Sequence, residues 1–467
     1  PAATAPPATG RLPDPVIVVP GITATYLRDD YPLPPEMIWR VLPFQRDPER
    51  AAMHPDNIAV EAVEPAAVRS DQLFEICYRE LILELRHGLT QRSDEPVPVY
   101  PFSYDWRRPL TDSQAALDRF ISEVIERTVV TRPYHQDGYA TRRTVTLVGH
   151  SMGGLVIAGF LKADAERRAR VEAPPPPRVR KVITLASPFR GSLEAVLKMT
   201  TGTANMGGTD SSSREREAAR LTPGLYHLLP SFADAVAFAP GLPDSLYQIK
   251  AWQPSILASL AEYARKFSCA PNVDAHARAL FQELLDIAHA HRDSVEHLDL
   301  AKAGLAPTDW LAVVGTDCTT RTHMAVANDA GAARFILDSS GRRNDWPASP
   351  ATGDGTVPFL GAECAFLPRS NLVCVTPDDF GYWEIEDRAL AKATGFHGIL
   401  PNMDMLHRLI IRFITGAPDP HGNTWGRAAP GVSTWTPPIP GLRQKTSPPR
   451  DADEDTAVPG SRPEASL

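Results

Sequence analysis

Short runs of consecutive apolar residues recur along this chain and alternate, over its first part, with segments of helical period. Val16-Ile-Val-Val is halted by Pro20-Gly21, Val97 to Arg107 reads as a strand ending in a polar and aromatic loop, Thr144 to Val148 stops at Gly149, and Val182-Ile-Thr-Leu ends at Ala186-Ser-Pro. Continuous hydrophobicity in such short runs fits strands buried on both faces, as in a parallel sheet covered by helices. The intervening segments supply those helices. Leu73, Ile76, Cys77, Leu81 and Leu83 predict a helix over Ser70 to Gly88, capped by Ser70 and closed by Gly88. Leu117, Phe120, Ile121, Val124 and Ile125 predict another over Thr111 to Val130, with Thr111 or Asp112 as cap, and Leu155, Ile157, Ala158 and Leu161 a third. Residues 28 to 69, charged and broken by proline, read as an irregular excursion.

From Gly191 to about Pro307 the period is helical and no strand pattern interrupts it, which predicts a mainly helical cap inserted between sheet strands. A Gly/Ser/Thr-rich patch over Thr200 to Ser213 reads as its hinge or lid. Strands resume at Trp310-Leu-Ala-Val-Val-Gly, continue as a short pair around His323 to Val326 and Arg334 to Leu337 with Asn328-Asp-Ala-Gly as turn, and end with Leu372-Val-Cys-Val-Thr. A last helix runs from about Asp404 to Thr415. The predicted fold class is therefore α/β, a mostly parallel sheet with flanking helices and an inserted helical cap. Its organisation is a flexible leader (1–14), a core in two parts (15–190 and 308–415), a cap or lid (191–307) and a Pro-rich disordered tail (416–467).

Composition narrows the function classes. A chain of 467 residues with 43% hydrophobic content can fill a large core, and a formal charge of -8 without a basic, aromatic-interleaved block argues against nucleic acid as partner. Five scattered cysteines without C-x-x-C spacing signal neither a disulfide framework nor a zinc site. No apolar run approaches the length of a membrane-spanning helix. The Pro/Ala-rich start has neither a basic nor an apolar targeting region, so a cytoplasmic protein is expected, or a secreted one whose leader has been removed. The oligomeric state is not legible.

The chemistry centres on Gly149-His-Ser-Met-Gly-Gly. A G-x-S-x-G turn between a strand and a helix forces its serine into a strained conformation and exposes the hydroxyl at a helix N-terminus, where backbone N–H groups can receive an oxyanion. Ser151 is therefore the candidate nucleophile, and the Met152 N–H a candidate oxyanion donor. The loop after the first strand supplies the second donor in such a site, so Gly21, Ile22 and Thr23 are candidates, with Ile22 as the donor. A serine needs a histidine base held by a carboxylate, expected in the chain order Ser, acid, His. Asp354, between Gly353 and Gly355 in a loop, is the favoured acid, with Asp317 and Asp338 as rivals. His397, in a glycine-flanked loop, is the favoured base, because His407 lies at helical spacing with Leu406 and Ile410. His289 and His291, two apart on a helix, point away from each other, which disfavours a metal site.

Taken together, Val18-Val-Pro-Gly, Tyr104-Asp-Trp-Arg, Gly149-His-Ser-Met-Gly-Gly, Leu185-Ala-Ser-Pro-Phe-Arg-Gly-Ser, Tyr226-His-Leu-Leu-Pro, Gly353-Asp-Gly-Thr-Val-Pro and His397-Gly-Ile-Leu-Pro-Asn resemble the lecithin:cholesterol acyltransferase-like α/β hydrolases, in that family's order. The resemblance implies an α/β-hydrolase fold, a triad of Ser151, Asp354 and His397, and an acyl ester as substrate, commonly a phospholipid or other lipid met at a lipid interface. It also brings Gly21, Thr23, Tyr104, Trp106 and Tyr226 forward as pocket candidates, with packing by an Asp105 to Arg107 pair as the alternative around Tyr104. The cysteine spacing and the lack of a membrane anchor depart from the secreted animal and the anchored plant and yeast members.

These residues predict a serine esterase or lipase that forms an acyl-enzyme without a cofactor and passes the acyl group to water or to an acceptor alcohol. Hydrolase and transferase share the same residues, so the pattern does not separate them. The alternatives are an amidase or peptidase on the same scaffold, and a non-catalytic scaffold that binds a lipid or protein partner.

Overall fold

Six strands pair in parallel, in the spatial order Val373–Val375, Trp310–Gly315, Val179–Leu185, Val145–His150, Val16–Val19, Val99–Pro101. A computed structural model describes residues 11–31, 33–40, 48–63, 65–202, 213–337, 353–384 and 396–446. The register sets Ile17 beside Leu147, Val148 beside Ile183, and Leu311 beside Ile183. Ile17, Val19 and Leu147 feed one core layer, closed by the helices Leu110–Val129 and Met152–Ala169. Val16, Val18, Val148 and Ile183 feed the other, closed by the helices Glu75–Leu89 and Asp404–Thr415. Both faces of the sheet are thus apolar, which is why the strands read as unbroken apolar runs. The α/β-hydrolase class read from the sequence is the fold observed.

The chain leaves the strand Val16–Val19 first to one side, for Val99–Pro101, and then to the other, for Val145–His150. The loops after Val19 and His150 therefore part at a reversal of strand order, where a crevice opens at the carboxyl ends of the strands. Gly21 and Ser151 sit in those two loops.

Several elements differ from the sequence expectation. Thr25–Asp29, Glu36–Trp39 and Val68–Leu73 form an antiparallel three-stranded sheet, and Met53–His54 pairs with Asn57–Glu61, where an irregular excursion was expected. The inward positions of the first strand are Thr25, Leu27 and Asp29, so alternation was hidden by buried polar residues. Asp29 earns its burial by accepting the N–H groups of Tyr31 and Ala67 and pairing with Arg50. Ser70 belongs to that sheet, and the helix begins at Glu75. Gly88 does not end the helix: a Cβ there would lie 2.2 Å from Cδ1 of Ile411, so its lack of side chain lets the last helix approach. The helix expected from Thr111 starts at Leu110, behind Pro109 and without a side-chain cap.

Between 191 and 307 the helices Leu193–Thr201, Ser213–Arg220, Pro254–Phe267 and Val273–Glu296 dominate. Among the described residues one short strand, Val236–Phe238, interrupts them and pairs with Met324–Asp329 of the hairpin completed by Ala332–Ile336. Three residues, flanked by Ala235 and Ala239, carry too little pattern to be seen. Of the Gly/Ser patch, residues 203–212 lie outside the described residues, as does Asp338.

The two ends are corrected in part. Leu12 donates its N–H to Asp137, and Asp14, fully buried, receives Arg142, Arg180 and the hydroxyl of Thr144. Beyond Gly416, Arg427 exchanges both backbone hydrogen bonds with Cys374, at 2.9 and 3.0 Å, and so continues the sheet past its edge strand. Asp379 then holds Arg427, Trp425 and Lys445. Composition suggested a disordered tail from 416, yet residues through 446 are packed, because specific polar anchors act together with a few scattered apolar ones, Ile439 and Leu442 among them, that form no periodic pattern.

Candidate active site

Ser151 takes φ 54° and ψ -127°, between the last strand residue, His150, and the first helical one, Met152. Its N–H donates to the Leu185 carbonyl at 2.9 Å, which anchors the turn to the neighbouring strand. The turn is possible because the backbones are so close: a Cβ at Gly153 would lie 2.3 Å from the Val19 carbonyl oxygen, and one at Gly21 would lie 2.8 Å from Cβ of Ser151. Backbone strain at this serine is stored by the packing around it.

The loop carrying Asp354 folds against the end of the strand Trp310–Gly315. One carboxylate oxygen accepts the N–H groups of Thr356 (2.9 Å) and Val357 (2.7 Å). Thr320 Oγ1, which donates to the Cys318 carbonyl, accepts the Gly355 N–H at 2.8 Å. The other carboxylate oxygen lies 2.6 Å from Nδ1 of His397, whose Nε2 lies 2.8 Å from Oγ of Ser151. A carboxylate only accepts, so Nδ1 carries the proton and the Nε2 lone pair faces the serine hydroxyl. The Phe396 N–H bonds the Asp354 carbonyl at 2.8 Å, so acid and base loops are also joined through backbone. The three favoured residues are thus brought together. Asp317 has φ 77° at the strand end, and His407 is buried, with Nε2 donating to the Pro401 carbonyl.

The oxyanion-loop candidates divide by role. Gly21 gives its N–H to Tyr78 Oη at 2.8 Å, so it is committed elsewhere. Among the described residues no acceptor takes the Ile22 N–H, and Met152 is the first residue of its helix, where N–H groups have no intrahelical partner. Thr23 has φ 62°, and its carbonyl accepts Nε1 of Trp39 at 2.8 Å.

Ile22 and Thr23 also line a cleft, with Trp39, Ala51, Trp106, Ala218, Ala219 and Leu225 among its walls. Trp39 and Trp106 pack at 4.9 Å, and Nε1 of Trp106 is tied to the Thr25 carbonyl, so both present apolar rings. The charges at the cleft, Lys198 and Glu215, neutralise each other at 2.6 Å.

Trp106 is the one aromatic pocket candidate that lines this cleft. Tyr104 is buried with its hydroxyl on the Pro20 carbonyl, and Tyr226 is buried with its hydroxyl on the Arg220 carbonyl and its ring against Phe281. Neither lines the cleft, and each hydroxyl is bonded to a backbone oxygen. Arg107, fully buried, takes Asp105 with two nitrogens and reaches Glu61 and the Ala51 carbonyl. Although burial works against the charge, this arginine holds the Asp105 carboxyl below the ordinary range.

Two residues hydrogen-bonded behind the site, Tyr78 and His150, were not legible. Tyr78 looked like one more helix residue, and His150 like the variable position of the elbow. The only sequence signal was the polar character of His150 at the end of an otherwise apolar strand.

The fold and the juxtaposed serine, histidine and aspartate define an α/β hydrolase. Residues 92–275 match the family model described as lecithin:cholesterol acyltransferase. A chain of the solved structure titled "The crystal structure of Tle4-Tli4 complex" is similar in fold, with a TM-score of 0.55 and 15% identity, over 88% of this chain and 100% of that one. No curated protein matches the sequence. The family implies lipase or acyltransferase activity of the serine hydrolase type and a lipid substrate. No helix among the described residues is long and apolar enough to cross a membrane.

Proposed function

We propose that this protein is a serine lipase or esterase that cleaves a lipid acyl ester through an acyl-enzyme on Ser151. The observation that carries the reading is the unbroken hydrogen-bonded series Ser151, His397, Asp354, with Ile22 and Thr23 of the oxyanion loop in the wall of an apolar cleft. Ser151 Oγ attacks the ester carbonyl as its proton passes to Nε2 of His397, and Asp354 stabilises the imidazolium that forms. The oxyanion is received by the Met152 and Ile22 N–H groups. Collapse of the tetrahedral intermediate breaks the ester C–O bond, and His397 returns the proton to the leaving alkoxide. Water, activated by the same imidazole, then releases the fatty acid; an acceptor alcohol in its place would give a new ester.

The acyl chain is assigned to the cleft, whose tryptophan and alanine walls and internally paired charges suit a hydrocarbon better than a peptide. Residues 191–307 supply part of that wall and act as the cap. Hydrolysis is the default outcome.

The test is labelling of the purified protein by an alkyl fluorophosphonate, with Ser151→Ala as control, followed by p-nitrophenyl esters of graded chain length. Labelling and turnover lost in Ser151→Ala, with preference for medium or long chains, is expected. A wild type that neither labels nor turns over ends the enzyme reading, and a preference for acetyl over longer chains ends the lipid assignment.

A further inference from the structure

A second hydrogen-bonded series, separate from the triad, runs behind the site. The Gly21 N–H donates to Tyr78 Oη (2.8 Å), Tyr78 Oη lies 2.8 Å from Nδ1 of His150, and Nε2 of His150 lies 2.9 Å from the His397 carbonyl oxygen. The proton positions follow from the ends. A carbonyl only accepts, so His150 carries its proton on Nε2 and presents a lone pair at Nδ1. Tyr78 therefore donates to His150, and its oxygen accepts from Gly21. Each group has one consistent role, and each is buried: Tyr78 is 1% and His150 4% exposed.

The helix that carries Tyr78 is tied to the same two loops elsewhere. Its leading residue Phe74 donates its N–H to the Ala24 carbonyl at 2.9 Å, and the Ile76 carbonyl accepts Nδ2 of Asn402, five residues past His397, at 2.8 Å. The rings of His150 and His397 lie 5.0 Å apart. Burial holds His150 neutral, with its basicity well below that of an ordinary imidazole, as its neighbour requires: a second cation there would oppose the imidazolium formed on His397.

We propose that Tyr78 and His150 are positioning residues that fix the oxyanion loop and the base loop relative to each other. This rests on the serine-enzyme reading above. By binding the Gly21 N–H, Tyr78 turns that peptide away from the reacting centre and sets the orientation of the next one, Ile22. By binding the His397 carbonyl, His150 sets the height of the base over Ser151. Neither touches substrate. Errors of fractions of an ångström at either loop would weaken stabilisation of the transition state more than binding of the substrate, so the loss falls on kcat.

The experiment compares Tyr78→Phe, His150→Leu, the double variant and His150→Gln in the full chain. The rate is normalised to sites titrated with fluorophosphonate and KM is measured separately. Tyr78→Phe and His150→Leu are each expected to lower kcat per titrated site by about tenfold or more with KM within about twofold. The double variant is expected to lose little beyond either single, because one series is cut in both cases. His150→Gln, whose amide can donate to the carbonyl and accept from Tyr78, is expected to recover part of the rate. A merely structural role would lower the titrated fraction or the melting temperature and leave the rate per site unchanged. Rates per site within twofold of wild type in Tyr78→Phe, or in His150→Leu should the former not fold, overturn the inference while leaving the triad intact. Absence of Ser151-dependent turnover in the wild type overturns both.

Discussion

Nε2 of His397 lies 2.8 Å from Oγ of Ser151, across 246 residues of chain, and the contact depends on which imidazole nitrogen holds the proton. Asp354 decides that by accepting a hydrogen bond from the Nδ1–H, which keeps the proton on Nδ1. In Asp354→Asn the side-chain oxygen can still receive the Thr356 and Val357 N–H groups, so the loop keeps its shape. The amide then faces Nδ1 as a donor, and the ring adopts the other tautomer. We expect kcat to fall by roughly 10⁴-fold with little change in melting temperature. A loss under tenfold in ester turnover would remove Asp354 from this role.

The cleft carries a steric prediction. Ala218 and Ala219 are buried on its wall, so Ala218→Phe inserts a ring where an acyl chain is assigned. Turnover of butyryl esters should persist, while kcat/KM for dodecanoyl esters should drop by about tenfold relative to it. Equal effects on both chain lengths would place the acyl chain elsewhere.

Acid should destabilise the protein before its carboxylates titrate. His291 is pushed down to about 3, by burial first and then by Arg292, and burial also lowers His227 and His150 well below the ordinary value of 6.5. Below 6.5 the unfolded chain binds protons that the folded one refuses, so stability is full above that pH and declines as pH falls towards 3. The slope is about 1.4 kcal/mol per pH unit for each such group. Urea midpoints should therefore fall between pH 7 and pH 5, and less steeply in His291→Gln. Equal midpoints at the two pH values would contradict this.

At the far edge of the sheet, Asp379 has no exposed side chain and meets Arg427, Trp425 and Lys445 together. Removing it leaves a largely buried guanidinium without its counter-charge. Asp379→Ala should cost about 3 kcal/mol in urea unfolding. The covering segment 417–446 should also become the first site of proteolysis. An unchanged midpoint would mean that Asp379 is not what holds this segment.

The residues that carry a local signal were legible because the signal is local. The Val145 run, the glycines around Ser151 and the loop context of Asp354 and His397 each reflect sterics within a few residues, and they led to the residues that meet in space. The sheet on Thr25–Asp29 was hidden because Asp29 and Thr25 occupy inward positions, and burial of a satisfied carboxylate leaves no hydrophobic trace. Tyr104 and Tyr226 looked like pocket residues since an aromatic with a hydroxyl suits either a wall or a core. What separated them was the backbone oxygen each hydroxyl reaches.

By itself, the sequence determined the class of fold, the strand-turn-helix at Ser151 and the two loop residues, Asp354 and His397, that meet it in space, all written in periodicity and turn chemistry. Only the tertiary structure decided which loop N–H is committed and which is open, where the cleft runs, and that Tyr78 and His150 bind the two loops from behind. Those relations join residues tens to hundreds of positions apart, and a hydrogen bond between them has no counterpart in the local pattern of either partner.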